Sequence, residues 1–263
     1  MRTIVAGNWK MHTDADEAGN LLAALVGWAG SHPGKVEIIV APPFPFLSAA
    51  IARISGAGKG SSGRPIVIAA QNCHQEEHGA FTGEVSVPML KSLGVGACIV
   101  GHSERREYFG ETDAVIGKKV ALLLKHGLQP IYCCGERREE REGGSFLDVV
   151  STQLHGALGA LSQENIGKLI VAYEPVWAIG TGLTATPEQA QEMHAFIRSE
   201  LRKLAGDAAT EIPILYGGSC KPENAAGLFA GVDINGGLIG GAALVADKFT
   251  ELIRIAEEVK QIA

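Results

Sequence analysis

The chain has 263 residues, 46% of them hydrophobic and 20% charged, with a formal charge of −6 at pH 7. That composition excludes a disordered chain, and the acidic balance excludes the broad basic footprint of a nucleic-acid-binding protein, although it leaves room for an anion at one local site. The length suffices for one large barrel-sized core or two modest ones.

Cys73, Cys98, Cys133, Cys134 and Cys220 are an odd number of cysteines with no C-x-x-C spacing, which predicts free thiols in a reducing compartment rather than disulfides or a metal site. The amino-terminal MRTIVAGNWKM carries only a five-residue run of small and apolar residues, too short for the hydrophobic region of a signal peptide. No stretch approaches the roughly 18 uninterrupted apolar residues of a membrane span. The expectation is a soluble, cytoplasmic protein with no membrane or nucleic-acid partner.

In chain order, eight short runs rich in valine, isoleucine and leucine read as strands: TIVAG (3–7), VEIIVA (36–41), IVIAAQ (66–71), ACIVG (97–101), PIYCC (130–134), KLIVAYE (168–174), PILYGG (213–218) and GLIGG (237–241). Their nearly continuous apolar character is that of strands buried on both faces. Amphipathic helical patterns lie between them. Val115, Ile116, Val120, Leu123 and Leu124 share one face; so do Ala190, Met193, Ile197, Leu201 and Leu204, and finally Phe249, Leu252, Ile253, Ala256 and Val259. Thr186-Pro187-Glu188-Gln189 combines an N-cap threonine, a proline at the first helical position and a glutamine two residues on. Alternating strands and helices over this length predict an α/β fold, a (β/α)8 barrel forming a single domain over 1–263. A doubly wound open sheet is the alternative, but the G-x-G-x-x-G turn of a dinucleotide-binding version is missing. The glycine- and serine-rich stretch SGAGKGSSGRP (55–65) reads as a flexible insert on the face opposite the strand C-termini.

In such a barrel the chemistry belongs at the C-terminal ends of the strands. There the sequence offers Asn8-Trp9-Lys10, Gly101-His102-Ser103-Glu104, Glu174, Gly217-Gly218-Ser219 and Gly240-Gly241. A carboxylate opposite a neutral hydrogen-bond donor is what moving a proton between neighbouring carbons needs, because donors must hold the enediolate oxygen. Glycine turns before helix starts are ready-made anion sites. A small phosphorylated carbonyl compound is therefore the natural substrate. Each residue also has a plainer reading. Lys10 could be a surface lysine, His102 a structural histidine, Glu104 an acid at a helix N-terminus, and Glu174 a strand-terminating acid held extended by Pro175. The run GGAAL could serve only close helix packing. It is their convergence on one barrel face that favours chemistry.

The segments AGNWKMH, AQNCHQEEHGAFTGEVS, VGHSERREYFGE, CCGE, AYEPVWAIGTGLTATPEQA, ILYGGSCKPEN and GLIGGAAL resemble the triosephosphate isomerase family, in its order and spacing, over essentially the whole chain. The resemblance implies a TIM barrel that interconverts dihydroxyacetone phosphate and D-glyceraldehyde 3-phosphate, a step of glycolysis and gluconeogenesis, without a cofactor or metal. It makes Glu174 the catalytic base and His102 the electrophile, acting in this family as a neutral imidazole whose pKa a helix N-terminus lowers. Lys10 becomes the ammonium that attracts the substrate dianion, Asn8 the amide beside it and Glu104 the acid that orients the lysine. Backbone N–H groups around Gly180, Ser219, Gly240 and Gly241 would hold the phosphate. Residues 175–181, which put valine, tryptophan and isoleucine into a glycine-bounded loop, would be a lid that shuts out water. The loop NCHQEEHGAFTGEVS, with Thr82 near its tip, would insert beside Asn8 and Lys10 of a second copy, giving a homodimer.

Asn235, Gly237, Ala243 and Cys134 depart from the residues usual in the family, and Ala243 removes a hydroxyl near the phosphate turn. Two other functions fit the same fold: a Schiff-base aldolase with Lys10 as nucleophile, and a non-catalytic binder of phosphorylated ligands.

Overall fold

The computed structural model describes residues 1–56, 65–180 and 182–262, with residues 261 and 262 described by backbone alone. Most of the 55–65 insert lies outside the described residues, as does Thr181 of the expected lid. The insert's flanks run from the helix Leu47–Gly56 to the start of a strand at Ile66.

Eight parallel strands close into a barrel: β1 (Ile4–Asn8), β2 (Glu37–Ala41), β3 (Ile66–Ala70), β4 (Ala97–Val100), β5 (Gln129–Cys134), β6 (Ile170–Tyr173), β7 (Ile214–Tyr216) and β8 (Gly236–Ile239). Each pairs with its successor, and β8 returns to β1 with Ile4 opposite Gly236 and Gly7 opposite Ile239. All eight coincide with the apolar runs to within about two residues. Gly236 permits the closure. Its φ is 113°, and a Cβ there would lie 1.9 Å from the Ile4 carbonyl oxygen.

Because side chains alternate across a strand, each strand feeds two cores. Ile4, Ala6, Ile39, Ile99, Ile131, Ile170 and Leu215 fill the barrel interior. Val5, Val40, Val100, Tyr132, Val171 and Tyr216 point outward against the helices. Most of these side chains are fully buried, each contributing about 1.5–3 kcal/mol in area removed from water.

The predicted helical faces are the buried ones. Ile116, Val120 and Leu123 are buried in the helix Asp113–Lys125, and Ala190, Met193, Ile197 and Leu201 in the helix Pro187–Ala205. Phe249, Leu252, Ile253 and Ala256 are buried in the last helix, Ala246–Ile262. The cap at Thr186 is present in both directions, with Gln189 N–H donating to the threonine and Thr186 N–H to the glutamine.

The segment between β3 and the helix Val87–Leu93 is ordered by its own contacts. His74 N–H donates to the Val85 carbonyl at 2.8 Å, closing the base of the loop, and the His74 and Phe81 rings lie 4.3 Å apart. Thr82 is exposed near the tip. Among the described residues, no helix is long and apolar enough to cross a membrane.

Candidate active site

At the C-terminal ends of the strands lies a cavity of about 810 Å³, lined among others by Asn8, Lys10, His102, Glu174, Gly180, Ser219, Gly240 and Gly241. Eight of the nine sequence-predicted catalytic and phosphate-binding positions thus share one cavity. The ninth, Glu104, reaches it through Lys10, whose Nζ donates to Glu104 Oε1 at 2.5 Å.

β1 delivers Asn8 and Lys10. Asn8 is buried and its Oδ1 accepts the Lys10 N–H at 3.0 Å. Lys10 sits at φ 54°, a conformation that L-residues adopt with strain. Gln71 holds it there, donating to the Lys10 carbonyl at 2.8 Å and to the Ala41 carbonyl at 2.9 Å.

His102 follows β4 and caps the helix Ser103–Phe109, its Nδ1 accepting the Glu104 N–H at 3.2 Å. That bond leaves the ring proton on Nε2. Nε2 lies 2.9 Å from Glu174 Oε1.

Glu174 stands one residue beyond β6 and is almost completely buried. Its Oε2 accepts the Ser103 N–H at 2.9 Å, and the Ser103 hydroxyl approaches Oε1 at 3.4 Å. Burial works against the charged carboxylate, but His102 and the Ser103 N–H outweigh it and hold the Glu174 pKa below its usual value. The backbone under Glu174 needs a glycine neighbour, since a Cβ at Gly135 would fall 1.7 Å from the Glu174 carbonyl oxygen.

One expectation has to be corrected. The resemblance implies a His102 pKa lowered by the helix N-terminus; in this arrangement it is raised. Burial disfavours the imidazolium, yet the Glu174 carboxylate alongside, with help from Glu104, more than offsets that.

The segment expected to form the lid is tethered at its start. Buried Glu136 accepts from Tyr173 Oη at 2.9 Å and Trp177 Nε1 at 2.8 Å, while its carbonyl takes the Val176 N–H at 3.0 Å. Burial pushes the Glu136 pKa up despite these donors. Ala178 is buried, and its carbonyl accepts the Ser219 N–H at 3.3 Å. The apolar residues of this loop therefore pack against the barrel mouth.

Ser103, Gln71 and Glu136 were not singled out in the sequence reading. Ser103, Gln71 and Glu136 lie inside the quoted segments VGHSERREYFGE, AQNCHQEEHGAFTGEVS and CCGE, so their place in those segments was the available signal.

A sequence profile of the family described as triosephosphate isomerase matches residues 3–256. The chain belongs to the triosephosphate isomerase family. A triosephosphate isomerase of Flavobacterium johnsoniae is 49% identical over 255 residues, covering 96% of this chain and 98% of the relative. One from Chlorobium phaeovibrioides is 49% identical over 256 residues, with 97% and 99% coverage, and one from Alcanivorax borkumensis 49% identical over 254 residues, with 97% and 98%. Triosephosphate isomerases are isomerases of glycolysis and gluconeogenesis, and the chain is an enzyme of that class. The five cysteines are free and buried. Burial pushes the thiols of Cys98, Cys133, Cys134 and Cys220 up, the last to about 12, which keeps them from being nucleophiles at neutral pH.

Proposed function

We propose that this chain interconverts dihydroxyacetone phosphate and D-glyceraldehyde 3-phosphate by proton transfer through an enediolate, with no cofactor, as one (β/α)8 domain. The observation that carries the reading is the buried Glu174–His102 pair, 2.9 Å apart on the wall of a cavity that also holds Lys10. Glu174 takes the proton alpha to the substrate carbonyl and returns it to the neighbouring carbon. His102 donates from Nε2 to the oxygens on which charge develops, and Lys10, steadied by Glu104 and Asn8, stabilises the same charge.

The raised His102 pKa belongs to the pair as it stands without substrate. Once Glu174 turns toward a substrate carbon, its influence on His102 falls, while the Glu104 N–H still occupies Nδ1. The imidazole is then a neutral donor, with its one proton on Nε2.

The backbone N–H groups of Gly180, Ser219, Gly240 and Gly241 hold the phosphate. Ser219 N–H is bonded to the Ala178 carbonyl here, so the lid, residues 175–181, must release it when phosphate arrives. Closing the lid over the substrate excludes water from Glu174 and protects the enediolate.

The Lys10–Glu104 ion pair speaks against a Schiff-base aldolase, because an amine that attacks a carbonyl would have to give up that pair. A passive binder has no use for a buried carboxylate set against an imidazole.

A homodimer fits the exposed apolar side chains beside the site. Met11 is 94% exposed, and Tyr108 and Phe109 follow His102 at 71% and 67%. The loop carrying Thr82 and Phe81 would cover such a surface on a second copy. A cytoplasmic location suits the free thiols.

The experiment is to follow D-glyceraldehyde 3-phosphate with purified protein in deuterium oxide. Rapid formation of the ketose with solvent deuterium at the carbon that receives the proton is the expected result. No turnover would overturn the reading.

A further inference from the structure

The charges on the cavity wall are mostly spoken for. Lys10 is neutralised by Glu104 at 2.5 Å and His102 is set against Glu174 at 2.9 Å. Two further lysines line the same cavity, Lys221 and Lys248. Both are exposed, and neither side chain has an ion-pair or hydrogen-bond partner among the described residues. Lys221 precedes the helix Pro222–Phe229, just past the turn Gly217–Ser219. Lys248 lies in the first turn of Ala246–Ile262, just past Gly240 and Gly241. Each lysine therefore follows one of the two glycine turns assigned to the phosphate. Glu223 lines the same wall, and His12 and Cys220 are the other titratable groups there beyond those already named.

We infer that Lys221 and Lys248 are the capture residues of the phosphate subsite, drawing the substrate dianion into the open cavity before the lid closes. The inference deepens the isomerase reading and rests on it. An acidic protein of net charge −6 repels a dianion at long range, and a local cluster of unpaired cations at a cleft mouth reverses that field. Lys10 is paired with Glu104, so its pull on a distant dianion is weaker than that of the two unpaired lysines. Neither touches the reacting carbons, so they act on encounter and on phosphate affinity and leave the chemical step alone.

The test compares wild type with Lys221→Gln, Lys248→Gln and the double variant. Both lysines are exposed, so folding should be unaffected, and equal melting temperatures would verify that. At ionic strength near 20 mM, kcat/KM of the double variant should fall about three- to tenfold, carried by KM, with kcat unchanged. The gap should narrow at 200 mM, where the screening length has fallen to about 7 Å. Binding of inorganic phosphate, measured by calorimetry without turnover, should weaken in parallel. Unchanged kcat/KM, unchanged salt dependence and unchanged phosphate affinity would overturn the inference. A kcat loss at constant KM would do so too, by placing the lysines in the chemical step. Absence of turnover in wild type would instead strike the isomerase reading, and the phosphate titration would still decide the role of the lysines.

Discussion

Glu174 and Ser103 are joined by a bond in which the first N–H of the helix Ser103–Phe109 donates to Glu174 Oε2 at 2.9 Å. The base is thereby parked on a rigid helix start, one hydrogen bond away from the imidazole it works beside.

Ser103→Pro removes that donor at the one helical position where proline is well tolerated. His102, with φ −51° and ψ 140°, already has the extended backbone a following proline requires. The Ser103 N–H is among the groups that hold the Glu174 pKa down, so its loss raises that pKa. Since the base must be ionised to act, the acid limb of the kcat/KM–pH profile should move to higher pH. A limb that stays in place would show that Ser103 does not set the charge state of the base.

Gly135→Ala should be among the most damaging small substitutions in the chain. The added Cβ would meet backbone at 1.7 Å, the carbonyl oxygen of Glu174, and backbone cannot rotate away. A loss of about 3 kcal/mol or more, or failure to accumulate in soluble form, is expected. Gly19→Ala is the control, because it lies within the helix Ala15–Ser31 with nothing inside 4 Å of the new methyl. That change should stabilise by about 0.5–1 kcal/mol. Similar melting temperatures for the two variants would contradict the packing argument.

These contacts also mark what could be read from the amino-acid order. The eight strands were legible because a strand buried on both faces must be apolar throughout, and the helix start at Thr186 because its cap is local. The cavity residues were legible because the barrel places strand ends together and the family resemblance assigned them roles. Ser103, Gln71 and Gly135 were not. Ser103 acts through its backbone N–H, Gln71 through the Lys10 and Ala41 carbonyls, far from it along the chain, and Gly135 through the absence of a side chain, so residue type alone signals none of them. The direction of the His102 pKa shift escaped for a related reason. It depends on where the Glu174 carboxylate rests, which spacing does not reveal.

Trp177→Phe deletes the 2.8 Å bond to Glu136 and leaves that buried carboxylate oxygen with the Tyr173 hydroxyl as its one hydrogen-bond donor, the Arg141 guanidinium standing 3.6 Å away. Under-satisfying a buried acceptor costs about 1–3 kcal/mol. Differential scanning should record a lower melting temperature, and the loosened lid should reduce kcat/KM. Wild-type values for both would remove Glu136 from the account of the lid.

His194 provides a stability test at acid pH. It is completely buried, and burial drives its pKa down to about 3. In the unfolded chain a histidine takes up a proton near pH 6.5 that the folded protein refuses. Stability should therefore fall as pH drops below about 6.5, by up to about 1.4 kcal/mol per pH unit from this group, until the folded value is reached. Replacing it as His194→Gln should flatten the decline of melting temperature between pH 7 and 5. An equally steep decline would assign the acid sensitivity to other groups.

The most direct test of the central claim, that Glu174 is a positioned base, is a coupled assay of glyceraldehyde 3-phosphate isomerisation by wild type and by Glu174→Asp. The substitution keeps the carboxylate and withdraws it by one methylene. The account predicts fast turnover in wild type and a kcat lower by on the order of 100-fold or more in the variant. Equal kcat in the two proteins would contradict it and move the base elsewhere.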